Sequence, residues 1–332
     1  MADYASLPRD MIQEIIKYLS FLDYIRFGAV CSHWYNVAKE RYSSSQKLLP
    51  WLIFFNGDSP KFFNPSEERV YHMEIRKLSG RHCVGSSHGW LITIDLDFKV
   101  YLLNPFSRAQ VGLPPLQQLD TCDGYPRWDQ LIYKAVLSAD PSESFDYIVI
   151  VVYFRTENLA FWRPGDLTWT MIRNHIYIED IIWYNEGFYV VGSDNHVKIV
   201  NKYGGDEGND DEDGFAQHYP NAVNARHFMH TTCFKLFKFD RERNNFVKLN
   251  SIDDHILFLG ANHTMMIATT AMGEKIKSNS IYFTDHDCWI ERDHMHIFRD
   301  SGIYNISDRS ITLFPLKNIN HQAKRPIFID VN

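Results

Sequence analysis

An acidic segment in the second half of the chain has the composition of a calcium-binding loop. The run Asn209-Asp210-Asp211-Glu212-Asp213-Gly214 places oxygen-bearing side chains at loop positions one, three and five, and a glycine at position six. Position twelve, which supplies the closing bidentate glutamate of such loops, is Pro220. Because the segment is highly charged and has few apolar residues, we expect a flexible acidic loop over residues 204–214 that does not bind calcium tightly.

Other candidate chemical groups also form incomplete sites. His294 and His296 alternate so that they share one strand face, as do His286 and Cys288, but neither pair has a third metal ligand at a defined spacing. The run Gly85-Ser86-Ser87-His88-Gly89 places a serine beside a histidine without the strand–turn–helix context of a nucleophile elbow. It predicts a tight turn between two strands. We therefore expect no catalytic residue, no metal site and no cofactor.

Composition excludes several classes of protein. The chain has 332 residues, of which 45% are apolar and 23% charged, and it contains no apolar run of about 20 residues. These values argue against a wholly disordered chain and against a membrane-spanning helix, and the first residues do not resemble a secretory signal. A net charge of −7 argues against nucleic-acid binding. Five scattered cysteines without a CxxC pair predict reduced thiols, and hence a cytoplasmic or nuclear protein.

Residues 6–42 have a helical pattern. Ser6 is the predicted N-cap of a first helix, with Pro8 in its first turn, and one broad apolar face follows: Met11, Ile12, Ile15, Ile16 and Leu19. A second short helix is predicted from Ser20 to Gly28, and a third over Val30–Ala38. About 40 residues bury too little apolar surface to be stable alone. The exposed apolar faces must therefore pack on the rest of the chain or on another protein.

The identity and spacing of these residues resemble an F-box over about residues 4–43. The resemblance is carried by Leu7-Pro8-Arg9-Asp10-Met11-Ile12, Ile15-Ile16, Leu19, Asp23-Tyr24-Ile25-Arg26-Phe27, Ala29-Val30-Cys31 and Trp34. It implies that residues 1–45 form a module of three short helices that binds a Skp1-type adaptor and, through it, a cullin. The residues that it implies for adaptor binding are Leu7, Pro8, Ile12, Ile15, Ile16, Leu19, Leu22, Ile25, Val30, Cys31 and Trp34.

Residues 46–332 have the pattern of short strands separated by turns, which is typical of a β-sandwich, barrel or propeller. A weak repeat of strand, turn and strand favours the propeller; it begins at Val100, Leu159, Leu236 and Ile303. About 285 residues at roughly 40–50 per blade predict five to seven blades. Trp51–Phe55 and Ile327–Ile329 are expected to pair and close the ring, which would remove exposed sheet edges.

This second region resembles the kelch-like β-propeller of plant F-box proteins. The resemblance is carried by Gly80–Leu91, Leu103–Phe106, Lys134–Pro141 and Ser280–Asp285. It implies a substrate-receptor subunit of a Skp1-cullin-F-box type E3 ubiquitin ligase, with the propeller binding an unknown target protein, and with no active site, no nucleic-acid partner and no membrane partner. Two alternatives stay open. One is an interaction scaffold that no longer assembles a ligase, and the other is a propeller hydrolase or oxidase.

Overall fold

The structure is a computed structural model that describes most of the chain, and the described residues are 6–19, 21–44, 49–55, 60–116, 131–153, 158–172, 178–184, 186–192, 197–201, 206–207, 215–217, 231, 233–240, 245–260, 264–269, 276–284, 301–315 and 324–330. The chain separates into two compact units. The helical unit comprises residues 1–48 with 271–273, and the β unit comprises residues 49–270 with 274–332.

The described part of the helical unit forms the helices α1 (Arg9–Ile16), α2 (Phe21–Gly28) and α3 (Ser32–Ser44). The prediction that Ser6 caps α1 is wrong. Pro8 occupies the N-cap position with a φ of −56° and a ψ of 143°, which is an extended rather than a helical conformation. Its carbonyl oxygen accepts hydrogen bonds from the N–H groups of Met11 and Ile12, both at 3.1 Å. Pro8 therefore precedes the helix instead of lying inside its first turn.

The start of α3 also differs from the prediction. Val30 and Cys31 lie in the turn before the helix, and the carbonyl oxygen of Cys31 accepts a hydrogen bond from the N–H of Tyr35 at 2.9 Å. In the first turn of α3, Nε2 of His33 lies 3.2 Å from the carbonyl oxygen of Leu7. This contact links the beginning of α3 to the segment that precedes α1.

The β unit contains six sheets among its described residues, and four of them have four strands each. In sheet 1 the strand order is β24 (Lys324–Ile329), β1 (Trp51–Phe55), β2 (Lys61–Asn64), β3 (Arg69–His72). Sheet 2 consists of β4 (His82–Ser87), β5 (Trp90–Ile94), β6 (Val100–Leu103) and β7 (Gln110–Gly112). Sheet 3 consists of β8 (Ile132–Leu137), β9 (Val149–Tyr153), β10 (Asn158–Trp162) and β11 (Thr170–Ile172). Sheet 4 consists of β12 (Ile178–Tyr184), β13 (Gly187–Gly192), β14 (Val197–Asn201) and β15 (Asp206–Glu207).

The remaining two sheets have three and five strands. Sheet 5 consists of β16 (Phe215–Gln217), β17 (Lys235–Asp240) and β18 (Asn245–Leu249). In sheet 6 the order is β20 (Thr264–Ala268), β19 (His255–Leu259), β21 (Ser280–Thr284), β22 (Ser301–Asn305), β23 (Ile311–Leu313), and β19 and β21 are parallel. The described part of the β unit contains a 3-10 turn at Arg76–Leu78 and no α-helix, so the predicted mostly-β class is confirmed.

The repeat seen in the sequence corresponds to a recurring antiparallel hairpin. Its four copies are the strand pairs β6–β7, β10–β11, β17–β18 and β22–β23.

An asparagine begins the turn of three hairpins of the β unit, β2–β3, β6–β7 and β22–β23. The asparagine Oδ1 accepts a hydrogen bond from the N–H of the residue two positions later: Asn64, Asn104 and Asn305. The residue four positions after each asparagine has a positive φ: Glu68, Arg108 and Arg309. Side-chain capping by asparagine thus stabilises the same turn in three sheets.

The first and last strands of the β unit pair as the sequence predicted. In the antiparallel pair β1–β24, Trp51 faces Ile329 and Leu52 faces Phe328. The contacts between neighbouring sheets include those of β24 with β4 and β21, and those of β8 with β4 and β12. The β unit therefore has a propeller arrangement in which the C-terminal strand joins the sheet that begins the unit.

The apolar core lies between successive sheets. In β9, the side chains of Val149, Val151 and Tyr153 pack in the core shared with sheet 2, whereas those of Ile150 and Val152 pack in the core shared with sheet 4. Since successive side chains of a strand point to opposite faces, a strand between two other sheets is buried on both sides. This explains why β9 is a continuous apolar run and not an alternating one.

Candidate functional site

The inner face of the helical unit is a small apolar core. Its buried side chains come from all three helices: Ile12, Ile16, Phe27, Val37 and Ala38. Four partly buried side chains pack against them: Leu7, Leu19, Tyr24 and Trp34. Five of the residues that the F-box resemblance implied for adaptor binding thus lie in or against this core. A side chain such as that of Ile12, which is 0% exposed, can affect binding only by holding the helices in place.

Aromatic side chains hold α2 and α3 together. The rings of Phe27 and Trp34 stack with their centroids 4.2 Å apart and an interplanar angle of 26°. The hydroxyl of Tyr24 on α2 donates a hydrogen bond to the carbonyl oxygen of Ala38 on α3. Large aromatic rings bury more area per residue than aliphatic side chains, so they dominate the packing of so small a unit.

The outer side of α1 carries further apolar residues. Pro8, Met11, Ile15 and Tyr18 follow one another at intervals of three or four residues, which places them on one side of the helix. Tyr18 lies in the turn that continues α1, with its N–H bonded to the carbonyl oxygen of Ile15 at 3.1 Å. Met11 is 54% exposed, Ile15 39% and Tyr18 86%. We call these four residues the α1 stripe.

The α1 stripe borders the core-facing side of the helix, so the apolar surface of α1 is wider than the helical unit itself covers. The resemblance to an F-box implied Pro8 and Ile15 for adaptor binding, but not Met11 and Tyr18. Met11 and Tyr18 could have been found in the sequence, because they continue the spacing of three and four residues that begins at Pro8. This spacing places them on the helix next to the core positions.

The other predicted residues of this unit lie near the turn between α2 and α3. Val30 is more than half exposed, and Ile25 and Cys31 are half-buried. Tyr35, which the sequence did not single out, is also exposed, and its Cδ2 lies 3.7 Å from where a Cβ on Gly28 would be. Val30 and Tyr35 are therefore further exposed apolar residues, in addition to those of the α1 stripe. Leu22 belongs to α2, but its side chain lies outside the described part of the structure.

Charged side chains of the helical unit form exposed ion pairs on the protein surface. Lys17 pairs with Glu14, and Arg26 pairs with Asp23 at 3.1 Å. Solvent-exposed ion pairs of this kind contribute at most about 1 kcal/mol to stability.

In the β unit, the turn predicted for Gly85–Gly89 is shorter than expected: residues 85–87 belong to β4, and only His88 and Gly89 form the hairpin turn. His88 and Gly89 both have positive φ, at 49° and 75°, and they connect β4 to β5. The hydroxyl of Ser86 donates to a backbone carbonyl of β24, and that of Ser87 donates to a backbone carbonyl of β8 at 3.3 Å. Both serines are buried, so they join sheet 2 to sheets 1 and 3.

The remaining candidate sites fall largely outside the described residues. Asp206 and Glu207 of the acidic segment form β15 and pair with β14, contrary to the expected loop, but residues 202–205 and 208–214 are not among those described. The same holds for residues 285–300, which include both histidine pairs. Within the described ranges, no three His, Cys, Asp or Glu side chains are grouped as metal ligands, and no helix is long and apolar enough to cross a bilayer.

Comparison with known proteins gives matches over both units. The F-box domain model matches residues 5–44, and the KIB1-4 beta-propeller model matches residues 62–305. The F-box/kelch-repeat protein KIB1 of Arabidopsis thaliana is 24% identical over 340 residues, which cover 92% of this chain and 82% of the relative. F-box only protein 7 of Arabidopsis thaliana is 24% identical over 374 residues, which cover 93% of this chain and 90% of the relative.

Among solved structures, a protein of unknown function from Bacteroides caccae is similar with a TM-score of 0.40 and 12% identity, covering 84% of this chain and 99% of the other. A similarity at this level supports no functional inference. The family models are more informative, because the propeller model alone spans well over half of the chain. With an F-box over its helical unit and this propeller over its β unit, the chain belongs to the KIB1-4 beta-propeller family of F-box proteins.

Proposed function

We propose that this protein is the substrate-receptor subunit of a Skp1-cullin-F-box type E3 ubiquitin ligase. Its helical unit binds a Skp1-type adaptor, and through it a cullin, while its β unit binds a target protein. The observation that carries the proposal is the α1 stripe, which leaves an apolar helix surface exposed beside the core of an F-box. The ligase's other subunits supply the chemistry, so the chain itself is not an enzyme and needs no cofactor.

The α1 stripe fits the recognition of a helix by a partner groove. Apolar side chains at intervals of three and four residues are the anchors of that binding mode. Burial of apolar surface contributes about 25 cal/mol per Å², so transfer of Met11, Ile15 and Tyr18 from water into a groove favours binding. Val30 and Tyr35 extend the proposed surface to the α2–α3 turn. We propose an indirect role in adaptor binding for the core residues, which hold the helices in position: Ile12, Ile16 and Trp34.

For the β unit we propose that the six sheets are six blades of one propeller, within the predicted five to seven. The proposal is supported by the contacts of sheet 1 with sheets 2 and 6 and of sheet 3 with sheets 2 and 4, and by the pairing of β1 with β24. A rigid ring of this kind presents loops at its two ends for binding a target protein. We also propose that the protein works in the cytoplasm or nucleus, without a nucleic-acid or membrane partner.

The test is co-purification of the full chain with a Skp1-type adaptor. We expect Met11→Asp with Ile15→Asp to reduce recovery of the adaptor at least tenfold while circular dichroism and the thermal melt stay unchanged, because both side chains are exposed. The control is Leu96→Asp, which changes an exposed apolar residue of the β unit and should leave recovery unaffected.

Recovery of the adaptor at the wild-type level by the α1 double variant would contradict the proposed binding surface. Failure of the wild-type chain to bind the adaptor would favour the alternative of an interaction scaffold without ligase assembly, because such a scaffold keeps the propeller but not the adaptor contact. Ubiquitin transfer to a bound target, measured with the assembled ligase, then tests the complete function.

A further inference from the structure

Two turns lie side by side at one end of sheet 3. Residues 138–148 connect β8 to β9, and residues 163–169 connect β10 to β11. Since β9 and β10 are antiparallel neighbours and Val149 faces Trp162, the two turns leave the sheet at the same end. They carry the two most exposed large apolar side chains of the described β unit, Phe145 at 93% and Leu167 at 90%.

The first turn is held in place by hydrogen bonds within the turn and by one from β5. Oδ1 of Asp140 accepts hydrogen bonds from the indole N–H of Trp90 at 2.8 Å and from the N–H of Ser142 at 2.7 Å. The hydroxyl oxygen of Ser138 accepts the N–H of Ile148 at 2.8 Å, which closes the base of the turn. Because these bonds fix both its base and its middle, the exposure of Phe145 is a property of an ordered turn.

The second turn is fixed in a similar way. The N–H of Asp166 donates to the carbonyl oxygen of Arg163, and the N–H of Arg163 donates to Oδ2 of Asp166, both at 3.0 Å. The indole N–H of Trp162 donates to the carbonyl oxygen of Asp166 at 2.9 Å. Gly165 has a φ of 99°, which a residue with a side chain adopts only with strain. This geometry leaves Leu167 exposed beside the first turn.

Two ordered turns that each present an apolar side chain are well suited to binding. An exposed phenylalanine or leucine gains free energy when a partner covers it. A side chain on a pre-organised turn also loses little conformational entropy when it binds. Because a few side chains account for most of the binding free energy at protein interfaces, two such positions are enough to form the centre of a binding surface.

The charge of the two turns indicates what kind of partner they bind. They carry four carboxylates, from Asp140, Glu143, Asp146 and Asp166, and one cation, from Arg163. The guanidinium of Arg163 lies over the ring of Phe161, 4.9 Å from its centroid. The net charge of −3 favours a partner with positive charge, because complementary potentials steer association and exclude partners of like charge.

We infer that this end of sheet 3 is the target-docking surface, and that its occupant is a protein segment with an apolar side chain flanked by lysine or arginine residues. The inference rests on the proposed function, since it names the part of the propeller that receives the target. Phe145 and Leu167 contact the apolar side chain, and the surrounding carboxylates, Glu143 foremost, attract the flanking cations.

The test is selection of a phage-displayed random 16-residue peptide library on the immobilised full chain. We expect enriched peptides to combine an apolar residue with at least two neighbouring lysine or arginine residues. Labelled copies should bind with a Kd raised at least tenfold by Phe145→Ser with Leu167→Ser, and about threefold by Glu143→Lys. The control Leu96→Ser with Leu313→Ser changes two other exposed apolar residues and should leave the Kd unchanged.

Three outcomes would overturn the inference. They are the enrichment of no peptide or of acidic peptides, equal peptide affinity for the wild type and the Phe145/Leu167 variant, and concentration-dependent dimerisation of the wild type that this variant abolishes. The last outcome would make the surface an interface between two copies of the chain. Adaptor binding by the Phe145/Leu167 variant is measured in parallel, so that failure of the docking surface and failure of the proposed ligase role are distinguished.

Discussion

Ile12 and Ile15 lie three residues apart on α1, yet Ile12 has no exposed surface and Ile15 is 39% exposed. The F-box resemblance implied both for adaptor binding. Their exposure differs because the two side chains point in different directions around the helix. The helices α2 and α3 cover the side on which Ile12 lies. Truncation of Ile12 would leave a cavity and lower stability. Truncation of Ile15 would also remove surface that is available to a partner.

A buried tyrosine gives the β unit a pH dependence at alkaline pH. Burial raises the pKa of Tyr282 to about 12, because the phenolate loses its solvation. A tyrosine in the unfolded chain ionises near pH 10, so the contribution of Tyr282 to stability is complete below about pH 10 and is lost as the pH rises to about 12. We expect Tyr282→Phe to reduce this loss by about 2–3 kcal/mol at pH 12, measured by urea denaturation at successive pH values.

The phenylalanine substitution keeps the ring that stacks on Phe258, whose centroid is 4.8 Å from that of Tyr282. Tyr18→Phe is the matched control, because it makes the same chemical change at an exposed position. It should leave the loss of unfolding free energy between pH 10 and 12 unchanged. Parallel loss of stability in wild type and Tyr282→Phe between pH 10 and 12 would contradict the prediction.

At the scale of the elements, a β-bulge interrupts the first strand of three successive sheets. The bulges lie between Cys83 and Gly85 in β4, Ile132 and Lys134 in β8, and Ile178 and Asp180 in β12. The residue that follows each bulge takes part in a contact between sheets. Gly85 lies against the backbone of Ala135 in β8, and the buried ammonium of Lys134 pairs with the carboxylate of Asp180. The bulges therefore direct these residues towards the neighbouring sheet.

The close approach at Gly85 leads to a prediction about packing. A Cβ on this residue would lie 2.6 Å from the carbonyl oxygen of Ala135, so the backbone of one sheet would have to move. We expect Gly85→Ala to lower the free energy of unfolding by about 1–3 kcal/mol, measured by urea denaturation. Gly112→Ala is the control, because nothing lies within 4 Å of its Cβ position and the substitution should be neutral or slightly stabilising. Equal midpoints for the two variants would contradict this account.

A substitution in the core of the helical unit should unfold that unit without changing the stability of the β unit. Trp34→Ala removes the ring that stacks on Phe27, and truncation of a packed tryptophan costs about 3–5 kcal/mol. This is comparable with the whole stability of so small a unit. We expect limited proteolysis to cleave within residues 9–44 of Trp34→Ala, while the thermal transition of the β unit stays unchanged. Ile15→Ala should stay resistant, and cleavage of both variants alike would argue against the role assigned to Trp34.

At the scale of the whole molecule, the last strand joins three sheets. Within sheet 1, Phe328 of β24 faces Leu52. Its ring packs edge-on against Phe258 of sheet 6 with centroids 5.3 Å apart, and its carbonyl oxygen accepts the hydroxyl of Ser86 from sheet 2. Because these contacts join the two ends of the β unit, the stability of the ring depends on a segment close to the C-terminus.

We therefore expect Phe328→Ala to lower the free energy of unfolding of the full chain by about 3–5 kcal/mol, because the side chain is buried and its loss leaves a cavity. Phe145→Ala makes the same chemical change at an exposed position and should alter stability by less than about 0.5 kcal/mol. Urea denaturation of both variants checks the prediction. Similar destabilisation by the two would mean that burial of Phe328 does not stabilise the ring.

Local spacing determined much of the architecture. The helical interval from Met11 to Leu19 and the short apolar runs after residue 50 predicted the helical and mostly-β regions, because periodicity depends on neighbouring residues. The His88-Gly89 turn was predictable because glycine favours positive φ. The pairing of Trp51–Phe55 with Ile327–Ile329 followed from the need of a ring to leave no free edge.

Contacts between residues far apart in the sequence decided the rest. The periodicity of α1 indicates one broad apolar face, and only its packing against α2 and α3 separates buried Ile12 and Ile16 from the exposed α1 stripe. Lys134 looks like a surface lysine until the sheets pack and bury it beside Asp180. Phe145 and Leu167 are 22 residues apart, and the pairing of β9 with β10 brings their turns to the same end of sheet 3. Burial and proximity of this kind depend on the tertiary structure, because the hydrophobic effect and Coulomb interactions act through space and not along the chain.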